Sequence, residues 1–261
     1  MTLFWHEIKR NKLSLIIWSA AISFMLAVCV FIYPEMQSQM GEISTMFADM
    51  GAFSDAFGMD QLNFGEFMGY FGIECGNTLG IGGAIFAAIL GVSALAKEEK
   101  DRTAEFLLTH PISRVRILSE KLLSVVAQIL TLNLAIAGIT ALSVLAIGVE
   151  ADAGKMALLF LANLLLQIEI AAITFGISAF VKRGGLGIGL GMTLGFYFIN
   201  IISNLTEELE FLKFITPYGY TDGSHIISEG GLEVKYILVG ALFTAVSLVA
   251  AYLHYTKKDI S

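Results

Sequence analysis

The chain of 261 residues has little charge, little proline and almost no cysteine. Only 15% of it is Asp, Glu, Lys or Arg, whereas a soluble domain carries about a quarter. With 56% hydrophobic residues and a mean hydropathy of +0.74, the sequence reads as a membrane protein. Cys29 and Cys75 lie too far apart for a CxxC redox or metal motif, and a disulfide between them requires both at one membrane face. A net charge of -7 argues against nucleic acid as a partner. No G-x-x-x-x-G-K-[ST] occurs, so the chain lacks the backbone cradle and lysine that hold nucleotide phosphates. The glycine-rich run from Gly184 to Gly195 does not replace it, because it falls inside an apolar span.

What is present is a series of six apolar runs, over 13–33, 77–96, 122–147, 156–181, 185–204 and 236–255. About 20 apolar residues in a helix cross a hydrocarbon core of about 30 Å. The reading is therefore one all-α membrane domain over 1–261, with six spans and no room for an autonomous soluble enzyme. The first run is too long for a signal-peptide core and has no small-x-small site after it, so it is expected to be retained.

Basic residues sort by side. Thirteen of the 16 fall on one face: Lys9, Arg10 and Lys12; Lys97, Lys100, Arg102, Arg114, Arg116 and Lys121; Lys182 and Arg183; Lys257 and Lys258. Lys155, Lys213 and Lys235 fall on the other. The positive-inside rule then puts both termini in the cytoplasm. The outer connection over 34–76 has no Lys or Arg, but holds Glu35, Glu42, Asp49, Asp55, Asp60, Glu66 and Glu74.

Residues 1–12 mix Leu3, Phe4 and Ile8 with His6, Glu7, Lys9 and Arg10, which suits a short interfacial helix or a plain positive flank. The inner segment 97–116 is more informative. Good helix formers continue span 2, Pro111 disfavours helix at the residue before it, and Ser113 can cap the helix leading into span 3. Phe106, Leu107 and Leu108 form an apolar knot among charges, the composition of a docking site, unless they pack beneath the spans.

The run E-x-x-x-R-T-x-E-x-L-L-x-x-P-I-S-R from Glu98 to Arg114 resembles the segment between spans 2 and 3 of ABC-2 type transporter permeases. The likeness is strongest to the small six-span bacterial subunits for sodium, antibiotic peptides or copper-enzyme maturation. Arg102 stands where those proteins usually have Gly. Ala56-Phe57-Gly58 and Ile215-Thr216-Pro217-Tyr218-Gly219-Tyr220 resemble the family's pattern at the same places. The resemblance implies a coupling helix contacting a separate ATPase, with Glu98, Arg102, Thr103, Glu105, Phe106, Leu107, Leu108, Pro111, Ser113 and Arg114 as the coupling residues. It also implies a connecting helix over 1–12 and a re-entrant outer segment over 207–230. The expected partners are two ATPase copies and a second permease chain, identical or different, in a bacterial plasma membrane. ATP and Mg would then be bound by the partner, with no cofactor, metal or catalytic residue in this chain.

Three other features bear on function. Gly187, Gly191 and Gly195 fall at i, i+4 and i+8 in span 5, a stripe on which a helix of this subunit or of a second one could approach closely. Gly83, Ala87 and Gly91 repeat the spacing in span 2. Met36, Met40, Met46, Met50, Met59 and Met68 admit copper(I), but a spacing of three and four among Met36, Met40, Ile43, Phe47, Met50 and Phe53 fits amphipathic helices, and no metal site is expected. Glu169 is the one acidic or basic residue well inside an expected span, so it should face protein or water, with Gln128, Asn133, Thr193 or Asn200 in reach as partners. At 100° per residue it shares a face with Ala162, Leu165, Ala172, Ile173 and Gly176 and lies about 200° from Gln167. It is a candidate for the translocation path or for a structural bridge between helices.

Two other functions compete. A secondary transporter would couple ions through Glu169. An intramembrane CAAX-type protease is resembled by Glu98-Glu99, Arg102 and Phe106-x-x-x-His110, but the arginine falls one residue short of that family's E-E-x-x-x-R, and these residues lie at the edge of a span.

Overall fold

The computed structural model describes residues 2–38, 66–100, 112–181 and 185–257. Its elements are all helical: α1 (Thr2–Ser38), α2 (Phe67–Cys75), a π-helical turn (Gly76–Ile81), α3 (Gly82–Lys100), α4 (Arg114–Ile147), α5 (Ala153–Phe180), α6 (Gly185–Ser203), a 3-10 helix (Glu207–Phe214), α7 (Gly223–Glu229) and α8 (Val234–Lys257). The segment Phe67–Lys97 runs through α2, the π turn and α3 as one rod, and among the described residues six helices are long and apolar enough to cross a membrane.

The helix ends follow local chemistry. Ser113 caps α4 by accepting from the Arg116 N–H, as its place before the apolar run suggests. Asp152 caps α5 through the N–H groups of Gly154 and Lys155. Gly148 closes α4 in the left-handed region at φ 67°, where glycine carries no Cβ penalty.

The rod and α5 form the centre. Their interface is the most extensive between helices, α1 packs along α4, and α8 and α6 cover the outer sides of α5 and α3. The stripe Gly83, Ala87 and Gly91 makes the central contact close. A Cβ on Gly83 would run into the Gln167 amide, and one on Gly91 into Thr174 and the Ala171 carbonyl. Small residues let apolar helices touch backbone to backbone, which is where dispersion and interhelical hydrogen bonds act in lipid.

Two expectations about segments change. Residues 1–12 are not a separate helix: α1 continues unbroken from Thr2, because neither glycine nor proline interrupts the stretch before Leu13. The outer connection is also shorter than 34–76. Pro34 lies inside α1, and the helix continues past it to Ser38 although the Val30 carbonyl loses its N–H partner there. At the other end α2 already begins at Phe67, so Glu74 sits in a helix and accepts a hydrogen bond from the Cys29 thiol at 3.5 Å. Cys29 and Cys75 are both free thiols.

Candidate functional site

Glu169 lies in α5 with 4% of its surface exposed. Its partner is none of the four residues expected. The Tyr220 hydroxyl, from the turn ahead of α8, donates to Glu169 Oε2 at 2.8 Å. Gln128 donates back to the Ser124 carbonyl, Thr193 to that of Gly189, and Asn133 to Ile129 and Gln167. On the other side, Gly240 of α8 leaves room for the carboxyl, since a Cβ there would collide with Oε2. Gly176 meets Ser247 in the same way. Helices α5 and α8 therefore run parallel with Glu169 beside Gly240 and Gly176 beside Ser247.

That register sets Val234, the start of α8, level with Asn163, ten residues along α5. At 1.5 Å per residue α5 projects about 15 Å beyond it. The segment between α6 and α8 fills that step. Its turn over 216–221 is buried, and α7 packs so tightly on α2 that a Cβ on Gly223 would meet the Gly72 backbone. The 3-10 helix is tied to α8 by Glu210, which accepts from the Tyr236 hydroxyl at 2.8 Å and from Lys235 at 3.3 Å. These two bonds hold the Glu210 carboxyl below its usual range.

A second polar group lies on the opposite face of α5, as the 200° separation of Glu169 and Gln167 requires. Asn133 of α4 donates to Gln167 Oε1 at 2.6 Å. The Gln167 Nε2 and the side-chain carbonyls of Asn133, Asn163 and Gln128 are buried without a hydrogen-bond partner. A small cavity of about 60 Å³ opens above, lined among others by Asn77, Tyr197, Asn200, Tyr218 and Asp222. It adjoins the π turn, and Tyr197 donates to Asn77 Oδ1 at 3.2 Å.

The inner ends carry a cluster that sequence reading did not single out. Lys121 is 1% exposed. Its ammonium donates to Glu7 Oε1 at 3.1 Å and to the Ala94 carbonyl at 2.6 Å, joining α4 to α1 and to the end of α3. The neighbouring Glu120 accepts from the Leu3 and Phe4 N–H groups, so α4 supplies the cap of α1. Arg114 donates to the carbonyls of Tyr255 and Thr256, the last turn of α8. Nothing in the pattern flagged Glu7 or Lys121, because each sat just outside an expected span among other charges.

Of the expected coupling residues, Ser113 and Arg114 are placed as above, and Glu98 belongs to the last turn of α3. Arg102, Thr103, Glu105, Phe106, Leu107, Leu108 and Pro111 lie outside the described residues. The span 5 stripe is placed unlike the span 2 stripe. Gly187, Gly191 and Gly195 have open space where a Cβ would stand, whereas Gly185 and Gly189 pack on Val92. Of the six outer methionines, Met68 is in the core and Met36 packs against it; the other four lie outside the described residues. No cluster of metal-ligating side chains occurs among the described residues.

The sequence model described as "ABC-2 family transporter protein" matches residues 1–260, so the chain belongs to that family. It is a multi-pass membrane protein and a permease subunit of an ABC transporter. No curated protein matches the chain.

Proposed function

We propose that the chain is the membrane half of an ATP-driven exporter, in which two permease chains form the path and two copies of a separate ATPase dock below. The observation that carries this reading is family membership over the whole chain, in a sequence that lacks a phosphate-binding loop. The ATPase contact is segment 98–114, with the knot Phe106, Leu107 and Leu108 as its apolar centre. Glu7, Lys121 and Ala94 support that assignment by joining three helices close to where the segment leaves α3. ATP and Mg bind to the ATPase, and this chain carries no catalytic residue. Both termini face the cytoplasm of a bacterial cell, in keeping with the split of basic residues.

The second permease chain packs on the open stripe Gly187, Gly191 and Gly195, which no helix of this subunit covers among the described residues. Glu169, tied by Tyr220 to the outer segment, is the candidate residue of the translocation path, and the buried step beside α5 supports a segment that re-enters the outer leaflet. Family membership leaves the protease and secondary-transporter readings without support.

The test is co-purification in mild detergent, with mass spectrometry of the proteins that come down to identify an associated ATPase. The wild-type chain is expected to bring the ATPase down and, alone, to hydrolyse no ATP. Leu107→Asp should weaken the association, since a charge at a desolvated interface centre costs about 2 kcal/mol or more. Undiminished co-purification, or labelling of Thr109→Cys from outside intact cells in a Cys29- and Cys75-free background, refutes the docking assignment.

A further inference from the structure

The geometry points to an anionic phospholipid site at the ends of α5 and α8, built by Phe180, Ala250, Leu253, His254 and Lys257. These five residues line an open, shallow groove at the surface, as suits a lipid lying along the protein and not a ligand enclosed by it. Three are apolar, two carry N–H donors, and none is acidic. The two donors stand at i and i+3 in the last turn of α8, so they share one face. His254 is held across the helix boundary by stacking on Phe180, with ring centroids 4.2 Å apart and planes 25° from parallel. Neither His254 nor Lys257 has an acidic partner among the described residues.

The end of α8 opposes an anion less than a bare helix end does. The end of a helix presents carbonyl oxygens that repel a phosphate, but here Arg114 occupies the carbonyls of Tyr255 and Thr256. With those two carbonyls engaged, their repulsion of a phosphate is reduced, and Lys257 is the cation of the last turn of α8 that can meet it. Below the donors the surface is lipid-like, because Phe180 is 53% and Leu253 57% exposed. A free phosphate would use only the donors. A phospholipid uses both parts, with the phosphate at His254 and Lys257 and an acyl chain along Phe180, Ala250 and Leu253. The groove lies on the face where thirteen of the basic residues gather, the face that meets anionic headgroups when it lines the cytoplasmic leaflet.

The full-length protein, purified in mild detergent, is examined by native mass spectrometry with phosphatidylglycerol, phosphatidylcholine or inorganic phosphate added. Wild type is expected to retain one phosphatidylglycerol per chain under activation that strips phosphatidylcholine, and to retain no inorganic phosphate. Lys257→Gln should weaken that retention about fivefold, the factor for one cation at a membrane surface, and His254→Gln should weaken it further. Lys257 is exposed at a helix end, so its variant keeps the fold, checked by an unchanged unfolding midpoint in phosphatidylcholine nanodiscs. Equal phosphatidylglycerol retention by Lys257→Gln overturns the proposal. So does equal retention of phosphatidylcholine by wild type, or retention of inorganic phosphate.

Discussion

Replacing Lys121 by methionine removes the ammonium that Glu7 and the Ala94 carbonyl share, and leaves a carboxylate with 9% side-chain exposure at the meeting of α1, α3 and α4. Breaking one partner of a buried ion pair costs about 3–5 kcal/mol, because the remaining charge is neither hydrated nor compensated. Glu7 keeps one other cation in reach, Arg10 at 3.7 Å, which is itself only 25% exposed. That contact leaves the Glu7 charge partly compensated, so the lower end of the range, about 3 kcal/mol, is expected. The double variant Glu7→Leu/Lys121→Met removes both charges and puts apolar atoms in their place. Such replacements are commonly neutral or stabilising, so it should recover most of the loss. Unfolding in mixed micelles of graded SDS content measures all three variants and gives the coupling energy. A single variant within 1 kcal/mol of wild type would refute the reasoning, as would a double variant no better than the single.

Other perturbations test the remaining sites. Tyr220→Phe removes the one hydrogen bond seen on Glu169 and should cost about 1–3 kcal/mol in the same unfolding assay; Glu169→Leu/Tyr220→Phe should cost less than the two single changes added together. Gly91→Leu should prevent folding because its side chain would enter the α5 backbone, whereas Gly191→Leu should leave a folded chain that no longer dimerises by crosslinking; a normal dimer with Gly191→Leu removes the packing role. For Glu210, a folded value below the unfolded value of 4.5 means that its contribution is present above pH 4.5 and is lost as pH falls through the lower value. The difference in unfolding midpoint between wild type and Glu210→Gln should thus shrink on acidification, and a gap that widens would contradict the sign.

The six helices were legible because each apolar run is long, and only a helix satisfies every backbone group of such a run in lipid. Ser113 was legible for a similar reason, since a hydroxyl just before an apolar periodic run meets orphan N–H groups whatever the tertiary structure. Glu169 could be picked out as a buried acid, but its partner could not. Tyr220 is 51 positions away, in a segment whose depth depends on how α8 is set against α5. The two glycine stripes show the same limit. The stripe Gly83, Ala87 and Gly91 is closed by α5 while Gly187, Gly191 and Gly195 stand open, yet both run at i, i+4 and i+8, because the pattern records a close approach and not which helix makes it. Lys121 and Glu7 were hidden by convention: counted as flanking charges by position, they are core residues by contact.

The π-helical turn at Gly76–Ile81 has a consequence for how span 2 tolerates change. A turn with i→i+5 bonds advances the chain with a different angular step from the α-helical 100° per residue. Above it, Phe67 and Phe71 stack at 5.5 Å on the Tyr33 side; below it, Gly83 and Gly91 face α5. The span thus behaves as two rotors on one axle, the upper held by α1, α7 and Phe160 of α5, the lower by α5 and α6. A π turn holds about one residue more than an α turn, so deleting one residue within 76–81 would let the rod close as plain α-helix with both rotors in phase, whereas inserting one would swing the upper rotor by about 100° and carry both phenylalanines out of the core. An insertion in the turn should therefore not be tolerated, while a single deletion there should be.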